Sequence, residues 1–378
     1  MIPLVLAAIG SSVGACPSRV AGEGAGRAGR GELQVSESGT APDPVAVLRE
    51  IGFLLERTRA DTYRVKAYRG AADAVEAMPP EERSRRQAEG SWAKATGVGP
   101  KTATVITQAL AGRVPDYLQQ LRDAREPLAD GGADLRARLR GDLHTHSTWS
   151  DGGSPVEEMM ATAKALGHEY CVVTDHSPRL TVARGLTAER LQEQMALTAR
   201  LSEEMAPFRV LQGIEVDILE DGGLDQTDAL LARLDVVVAS VHSKLRSDSE
   251  TMTHRMVGAI ANKRTNVLGH CTGRLIEGSR GTRPESVFDA EVVFEACRAF
   301  DVAVEINSRP ERRDPPTRLL QQAIDAGCLF SIDTDAHAPG QLEFLAYGCE
   351  RAEALGLDPD RVVNTWPVEK LLAWADKG

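Results

Sequence analysis

Two hydrophobic periods divide the chain. From Pro44 to about Leu121 apolar residues recur every three or four positions, with Val47, Leu48, Ile51, Leu54 and Leu55 on one stripe and Val65, Tyr68, Ala72 and Val75 on another. Such spacing places each set on one face of a helix and predicts a small all-α unit. After Arg138 the pattern changes to short apolar runs, expected as strands at 139–143, 170–174, 209–216, 236–241, 266–269, 302–306 and 329–332. Helical patterns fill the intervals at 155–166, 187–205, 225–233, 249–261, 289–299 and 317–326. Regular alternation of strand and helix predicts α/β architecture with a parallel sheet, and seven such strands favour a closed or nearly closed barrel over an open sheet. The stretch Pro127 to Asp134 (PLADGGAD) reads as a linker. The expected organisation is therefore a disordered extension over 1–42, a helical domain over 43–125, a linker over 126–139 and a barrel over 140–378.

Composition narrows the class. The 378 residues carry 44 basic and 55 acidic side chains, net -11, and no apolar run approaches the roughly 18 residues of a membrane span. Bulk charge therefore cannot hold the whole molecule on nucleic acid. The helical part differs, with 14 basic against 12 acidic side chains over 43–126, whereas the residues after it carry 27 against 40. One part suits a polyanion and the other suits cations. Six cysteines without a C-x-x-C pair argue against a disulfide framework and for a reducing cytosol, so a cytoplasmic location is expected. The opening MIPLVLAAIGSSVGAC has the small-residue end of an export signal but no preceding Lys or Arg, and is read as part of the unstructured extension.

Chemistry concentrates where the expected strands end. His144, His146 and Asp151 follow the first strand, Asp175 and His176 the second; Glu215 closes the third, with His242 and His270 after the next two and Asp335 and His337 after the last. In a parallel barrel the strand ends are where active sites form. Residues i and i+2 of an extended segment share a face, so His144 and His146 can reach one ion. Imidazole with carboxylate favours Zn2+, Mn2+ or Fe2+, and nine donors (His144, His146, Asp151, His176, Glu215, His242, His270, Asp335, His337) exceed the needs of one ion, which points to a cluster of about two or three. Asp175 and Asp217 are expected to support ligands or start helices, Asp333 to be structural, and His168 and His254 to be surface or helix-capping residues.

These residues carry a family resemblance. GDLHTHSTWSDG, VVTDHS, GIEVDI, ASVHS, VLGHCTGRL, VEINSRPERRD and DTDAHAPGQL, in that order, resemble the PHP (polymerase and histidinol phosphatase) superfamily, most closely the version at the C-terminus of bacterial family X DNA polymerases. The resemblance implies a distorted (β/α)7 barrel with three metals. It assigns His144, His146, Glu215 and Asp335 to one ion, lets Glu215 bridge to a second held by His242 and His270, and gives Asp151, His176 and His337 to a third. It implies hydrolysis of a phosphoester by metal-activated water. Arg184, Arg274 and Arg309 lie in the motif loops as candidates for substrate phosphate.

Upstream, TYRVKAYRGAADAVEAMP and TGVGPKTATVITQAL resemble the helix-hairpin-helix DNA-binding domain of family X polymerases. Gly97 and Gly99 would let a phosphate approach the backbone, with Lys101 and Thr102 at the start of the following helix. About 20 residues separate Leu121 from Asp142, too few for a nucleotidyl-transfer palm, so DNA synthesis is not expected. Val105 occupies the position of the lyase Schiff-base lysine, and valine cannot form an imine. The leading expectation is a metal-dependent phosphoesterase acting on DNA, as a 3'-5' exonuclease or in 3'-end processing. The alternative is a phosphomonoesterase of the histidinol phosphatase type. A non-catalytic scaffold would not require the full donor set.

Overall fold

The computed structural model describes residues 41–278 and 281–377. The expected extension, with Cys16 and the candidate signal stretch, lies outside the described residues except for 41 and 42. The helical unit consists of α1 (Pro44–Arg57), α2 (Thr62–Glu76), α3 (Pro80–Glu89), α4 (Pro100–Leu110) and α5 (Asp116–Asp123). Aspartates start the first two: Asp43 accepts from the Val45 and Ala46 amides and Asp61 from that of Tyr63, satisfying donors a helix start leaves open. The predicted stripe Val47, Leu48, Ile51, Leu54 and Leu55 is buried throughout, and Val105 packs in the same core.

The segment expected as a linker is not a free tether. It contains α6 (Ala133–Arg138), whose Leu135 is buried, and the amides of Gly132 and Leu135 each donate to Glu353 at 2.9 Å.

Seven parallel strands follow in sequential order: β1 (Gly141–Thr145), β2 (Tyr170–Val173), β3 (Arg209–Asp217), β4 (Val236–Ser240), β5 (Val267–Leu268), β6 (Ala303–Asn307) and β7 (Phe330–Asp333). The intervening helices are α7 (Val156–Ala165), α8 (Ala188–Glu204), α9 (Asp228–Leu231), α10 (Ser249–Ile260), α11 (Ala290–Ala299) and α12 (Thr317–Asp325); α13 (Leu345–Ala354) and α14 (Val368–Ala375) complete the chain. The first strand lies two residues later than its hydrophobic pattern suggested, because Leu139 caps α6 and residues 141–145 (GDLHT) take the ladder positions. His144 thus belongs to the strand itself.

Side-chain and backbone hydrogen bonds together close the barrel between β7 and β1. The Leu143 amide donates to Asp333 at 2.9 Å, the Thr334 hydroxyl to Asp142 at 2.5 Å, and the His146 amide to the Ala336 carbonyl at 2.8 Å. Lower in the seam Asn364 stands in for a missing strand, accepting from the Ile332 amide and donating to the Gly141 carbonyl, both at 3.1 Å. Asp333 has the structural role expected of it. Burial, with Asp142 alongside, pushes its carboxyl well above the usual range, and burial pushes Asp142 up to about 6.

The helical unit and the barrel share one apolar cluster, in which Leu48, Leu55 and Val105 join Val156, Met159, Met160 and Ala163 of α7 and Leu342. The two approach tightly at Gly340, where a Cβ would lie 2.1 Å from the Phe53 carbonyl oxygen. Only glycine lets α1 approach this loop, which follows β7 by a few residues. The Gly340 amide donates to Glu56 at 2.9 Å, and Arg69 bridges Glu56 and Glu158 across the seam.

Candidate metal centre

Because strands β1 to β7 run parallel, their C-terminal ends bring the nine candidate donors to one mouth. Glu215 lies at its middle. Its Oε2 is 3.3 Å from His144 Nε2, 3.5 Å from His146 Nε2 and 2.9 Å from His176 Nδ1, while Oε1 is 3.2 Å from His242 Nε2 and 2.8 Å from His270 Nε2. Five imidazoles therefore face one buried carboxylate. Asp335 Oδ1 is 3.4 Å from His146 Nε2, and Asp151 Oδ1 is 3.5 Å from His176 Nε2 and 3.4 Å from His337 Nε2. His144 and His146, spaced i and i+2, put their ring centroids 5.1 Å apart. Asp335 adopts a left-handed backbone (φ 52°), uncommon for a non-glycine residue and typical of functional sites.

The atoms at the centre lack ordinary hydrogen bonds. Both Glu215 oxygens and the Nε2 atoms of His144, His146, His242 and His270 are buried without a hydrogen-bond partner. Buried polar atoms are rarely left so, except where an ion or water completes them. Three overlapping donor groups have ligating atoms within 4.8 Å of one another: His146, Asp151, His176 and His337; His144, His146 and Asp335; and His176, Glu215 and His242. Borderline nitrogen donors together with carboxylates suit divalent transition metals, so the residues present fit such ions.

Electrostatics say the same. Burial works against ionisation of Glu215, yet His242, His144 and His176 hold its carboxyl well below the usual range. Asp335 is likewise held low against burial, mainly by Arg312. Burial disfavours imidazolium at His176, but Glu215 and Asp151 raise it to about 10. His144 is held well above its ordinary value against burial by Glu305 and Glu215, whereas burial, with His337 and His176 adding to it, lowers His146 to about 3. The centre is thus built to attract positive charge, and its rings compete for protons.

Supporting residues fix which nitrogen faces inward. Asp217 lies 2.8 Å from His242 Nδ1, the kind of supporting contact expected of it, and Asp175 ties down the loop before Asp151 through the Ser147 amide at 2.8 Å. Two others were not anticipated from sequence. Glu305, buried in β6, lies 2.6 Å from His144 Nδ1 and accepts from the His270 amide. Arg312 is buried with Nε 3.0 Å from Asp335 Oδ2. Glu305 alternates with the apolar Val304 and Ile306 in VEINSRPERRD, a pattern that marks burial only once the strand is seen to have both faces covered; Arg312, in the loop beyond, carries no such pattern.

The three candidate arginines separate. Arg309 Nη1 lies 2.7 Å from His337 Nδ1 and 2.8 Å from the Asp335 carbonyl. Arg184 and Arg274 instead donate to backbone carbonyls, Arg184 to Thr148 and Ser150 in the Asp151 loop and Arg274 to Arg312 and Arg313. Their guanidiniums brace loops rather than face the donor ring. His254 is exposed, and His168 is buried just after α7, where its amide donates to the Ala163 carbonyl.

In the hairpin, Gly97 has φ 83° and a Cβ there would sit 3.0 Å from Ala74 Cβ, so glycine is required by the turn. Gly99 has an ordinary φ of -88° and open space around it. Lys101 is exposed. Thr102 departs from expectation: it is buried, and its hydroxyl receives the Gly99 amide at 2.9 Å and donates to the Gly99 carbonyl, capping its own helix instead of facing a ligand.

A parallel barrel whose strand ends converge six histidines and three carboxylates defines a metal-binding α/β barrel. Residues 142–309 match the PHP domain and residues 40–114 the helix-hairpin-helix domain. The chain is 39% identical over 227 residues to the DNA polymerase/3'-5' exonuclease PolX of Bacillus subtilis, a match that covers 60% of this chain and 39% of that relative. A "Probable phosphatase" of Thermoanaerobacter is 26% identical over 235 residues, covering 59% of this chain and 89% of the relative. Among solved structures, the histidinol phosphate phosphatase of Lactococcus lactis, crystallised with zinc, L-histidinol and phosphate, aligns with TM-score 0.40 and 17% identity over 57% of this chain and 92% of that one. No helix among the described residues is long and apolar enough to cross a membrane.

Proposed function

We propose that this protein is a divalent-metal-dependent phosphoester hydrolase acting on DNA, removing nucleotides or blocking groups at 3' ends. The observation that carries the proposal is the seating of the helix-hairpin-helix domain directly on the loop that follows Asp335 and His337, through Gly340. A DNA backbone gripped by the hairpin would be held by the same rigid body as the donor ring. His144, His146, Glu215 and Asp335 would hold one ion, Glu215 with His242 and His270 a second, and Asp151, His176 and His337 a third. Divalent cations there supply Lewis acidity, which makes water nucleophilic near neutral pH and neutralises phosphoryl charge. The chain's own residues supply placement. Glu305 and Asp217 orient imidazoles, Arg312 steadies Asp335, and Arg309 presents positive charge to a substrate phosphate beside His337.

The test is to incubate Mn2+-supplemented protein with end-labelled single-stranded and duplex DNA and, in parallel, with a panel of phosphate monoesters. Stepwise loss of 3' nucleotides or release of 3' phosphate, abolished in the His144→Ala/His146→Ala variant, supports the reading. Much faster turnover of small monoesters with DNA untouched replaces it with the phosphomonoesterase reading that the phosphatase relatives favour.

A further inference from the structure

We propose that Arg59, in the helical domain, is a positioning residue for Arg309 of the metal centre, acting through Glu311; this rests on the reading of Arg309 as the substrate-phosphate arginine. Arg59 lies just past the end of α1 in a left-handed conformation (φ 56°), and its side chain reaches across the domain seam. Nη1 is 2.6 Å from Glu277 Oε1 and Nε is 3.4 Å from Glu311 Oε1. The other oxygen of Glu311 is 3.6 Å from Arg309 Nε, and Arg309 Nη1 reaches His337 Nδ1 at 2.7 Å. An unbroken run of polar side chains, Arg59, Glu311, Arg309, His337, thus joins the two domains.

The geometry gives this run a direction. Neither Glu311 Oε2 nor Arg309 Nε makes a hydrogen bond, and their 3.6 Å spacing is that of an ion pair not drawn fully together. Glu311 is held back by sharing its charge with Arg59 on its other oxygen. The Glu311 backbone is itself fixed, since its carbonyl accepts from the Ile276 amide at 2.8 Å. Without Arg59, the carboxylate would close on Arg309 and offset the positive charge that Arg309 offers to a phosphate. Arg59 therefore keeps Arg309 available, and it does so from the domain that grips DNA.

The experiment measures the dissociation constant of inorganic phosphate by calorimetry on the full-length, metal-containing protein as purified. Arg59→Ala should bind phosphate about three- to fivefold more weakly, the scale of a partly exposed ion pair. Glu311→Gln should bind at least as tightly as wild type, and adding Arg59→Ala to it should change nothing further. Arg59→Lys should restore most of the affinity, and the Arg59→Ala effect should shrink at high salt. Arg125→Ala, which breaks a different seam ion pair with Glu343 (2.7 Å), should leave phosphate affinity unchanged whatever it does to the melting temperature. Equal affinity in wild type and Arg59→Ala, additive losses in the double variant, or no phosphate binding to wild type overturns the proposal. Phosphate binding with these signs in a protein that hydrolyses no phosphoester would sink the hydrolase reading while leaving the Arg59 relay intact.

Discussion

Glu305 Oε1 lies 2.6 Å from Nδ1 of His144, and that contact leaves Nε2 of the ring facing Glu215. The other Glu305 oxygen receives the His270 amide, so one carboxylate on β6 supports histidines on β1 and after β5. Glu305→Gln keeps a hydrogen-bonding group but removes the charge that strengthens the imidazole as a donor. Metal affinity should fall about 10- to 100-fold with the far-ultraviolet circular dichroism unchanged. Competition against a chromogenic chelator reads this directly, and an unshifted affinity would mean that Glu305 only fills space.

The donor ring was legible because histidine is a poor strand-core residue, so six histidines at expected strand ends had no packing explanation. All seven strands and the six helices between them were also legible from apolar period. Glu305 and Arg312 were not: a lone charge between Val304 and Ile306 has the same local signature as a strand residue facing solvent, and Arg312 lies in the loop after β6, where a charged residue is ordinarily exposed. The separation of Arg309 from Arg184 and Arg274 was likewise hidden, because loop course alone decides which arginines meet carbonyls. The domain seam had no sequence signal either. It depends on Gly340 and Phe53, which lie nearly three hundred residues apart along the chain.

That seam alters what truncation should do. The sequence suggested modules that separate at a linker, but removal of residues through 126 would expose Val156, Met159, Met160 and Leu342, all buried in the shared cluster. Each buried side chain of this kind contributes about 1.5–3 kcal/mol when shielded from water. The isolated barrel should therefore express with low solubility and melt well below the full chain, as differential scanning calorimetry would record. A barrel of unchanged melting temperature would restore the separable-module picture.

The hairpin residues should respond differently from one another. Gly97→Ala imposes a Cβ on a left-handed turn against Ala74, so it should lower thermal stability as well as DNA affinity. At Gly99 a Cβ meets no neighbour and φ is ordinary, so Gly99→Val should cost less stability than Gly97→Ala, limited to the poorer helix cap, and weaken DNA binding mainly by blocking a close phosphate. Lys101→Ala should weaken all DNA sequences alike and reduce the salt dependence by about one contact. Fluorescence anisotropy across a salt series, paired with melting curves, distinguishes the three. A Gly99→Val protein that binds DNA like wild type would remove the hairpin from the interface.

His168 provides a pH test outside the metal centre. It is buried at 5% exposure, and its Nε2 sits 3.3 Å from Arg136 Nη2, so the ring accepts as a neutral base. Burial, with the Arg136 charge adding to it, pushes its pKa down to about 3, whereas an unfolded histidine titrates near ~6.5. Between those values the unfolded chain binds a proton that the folded chain does not, so stability falls as pH falls through this window and is unaffected by His168 above it. From pH 7 to pH 5 the loss is about 2 kcal/mol, taking ~1.4 kcal/mol per pH unit below the unfolded pKa. His168→Gln can still accept from Arg136 and cannot titrate. Urea unfolding at the two pH values should show the variant losing about 2 kcal/mol less than wild type, even if it starts less stable at pH 7. Identical losses in the two proteins would mean that His168 takes up its proton within the folded state.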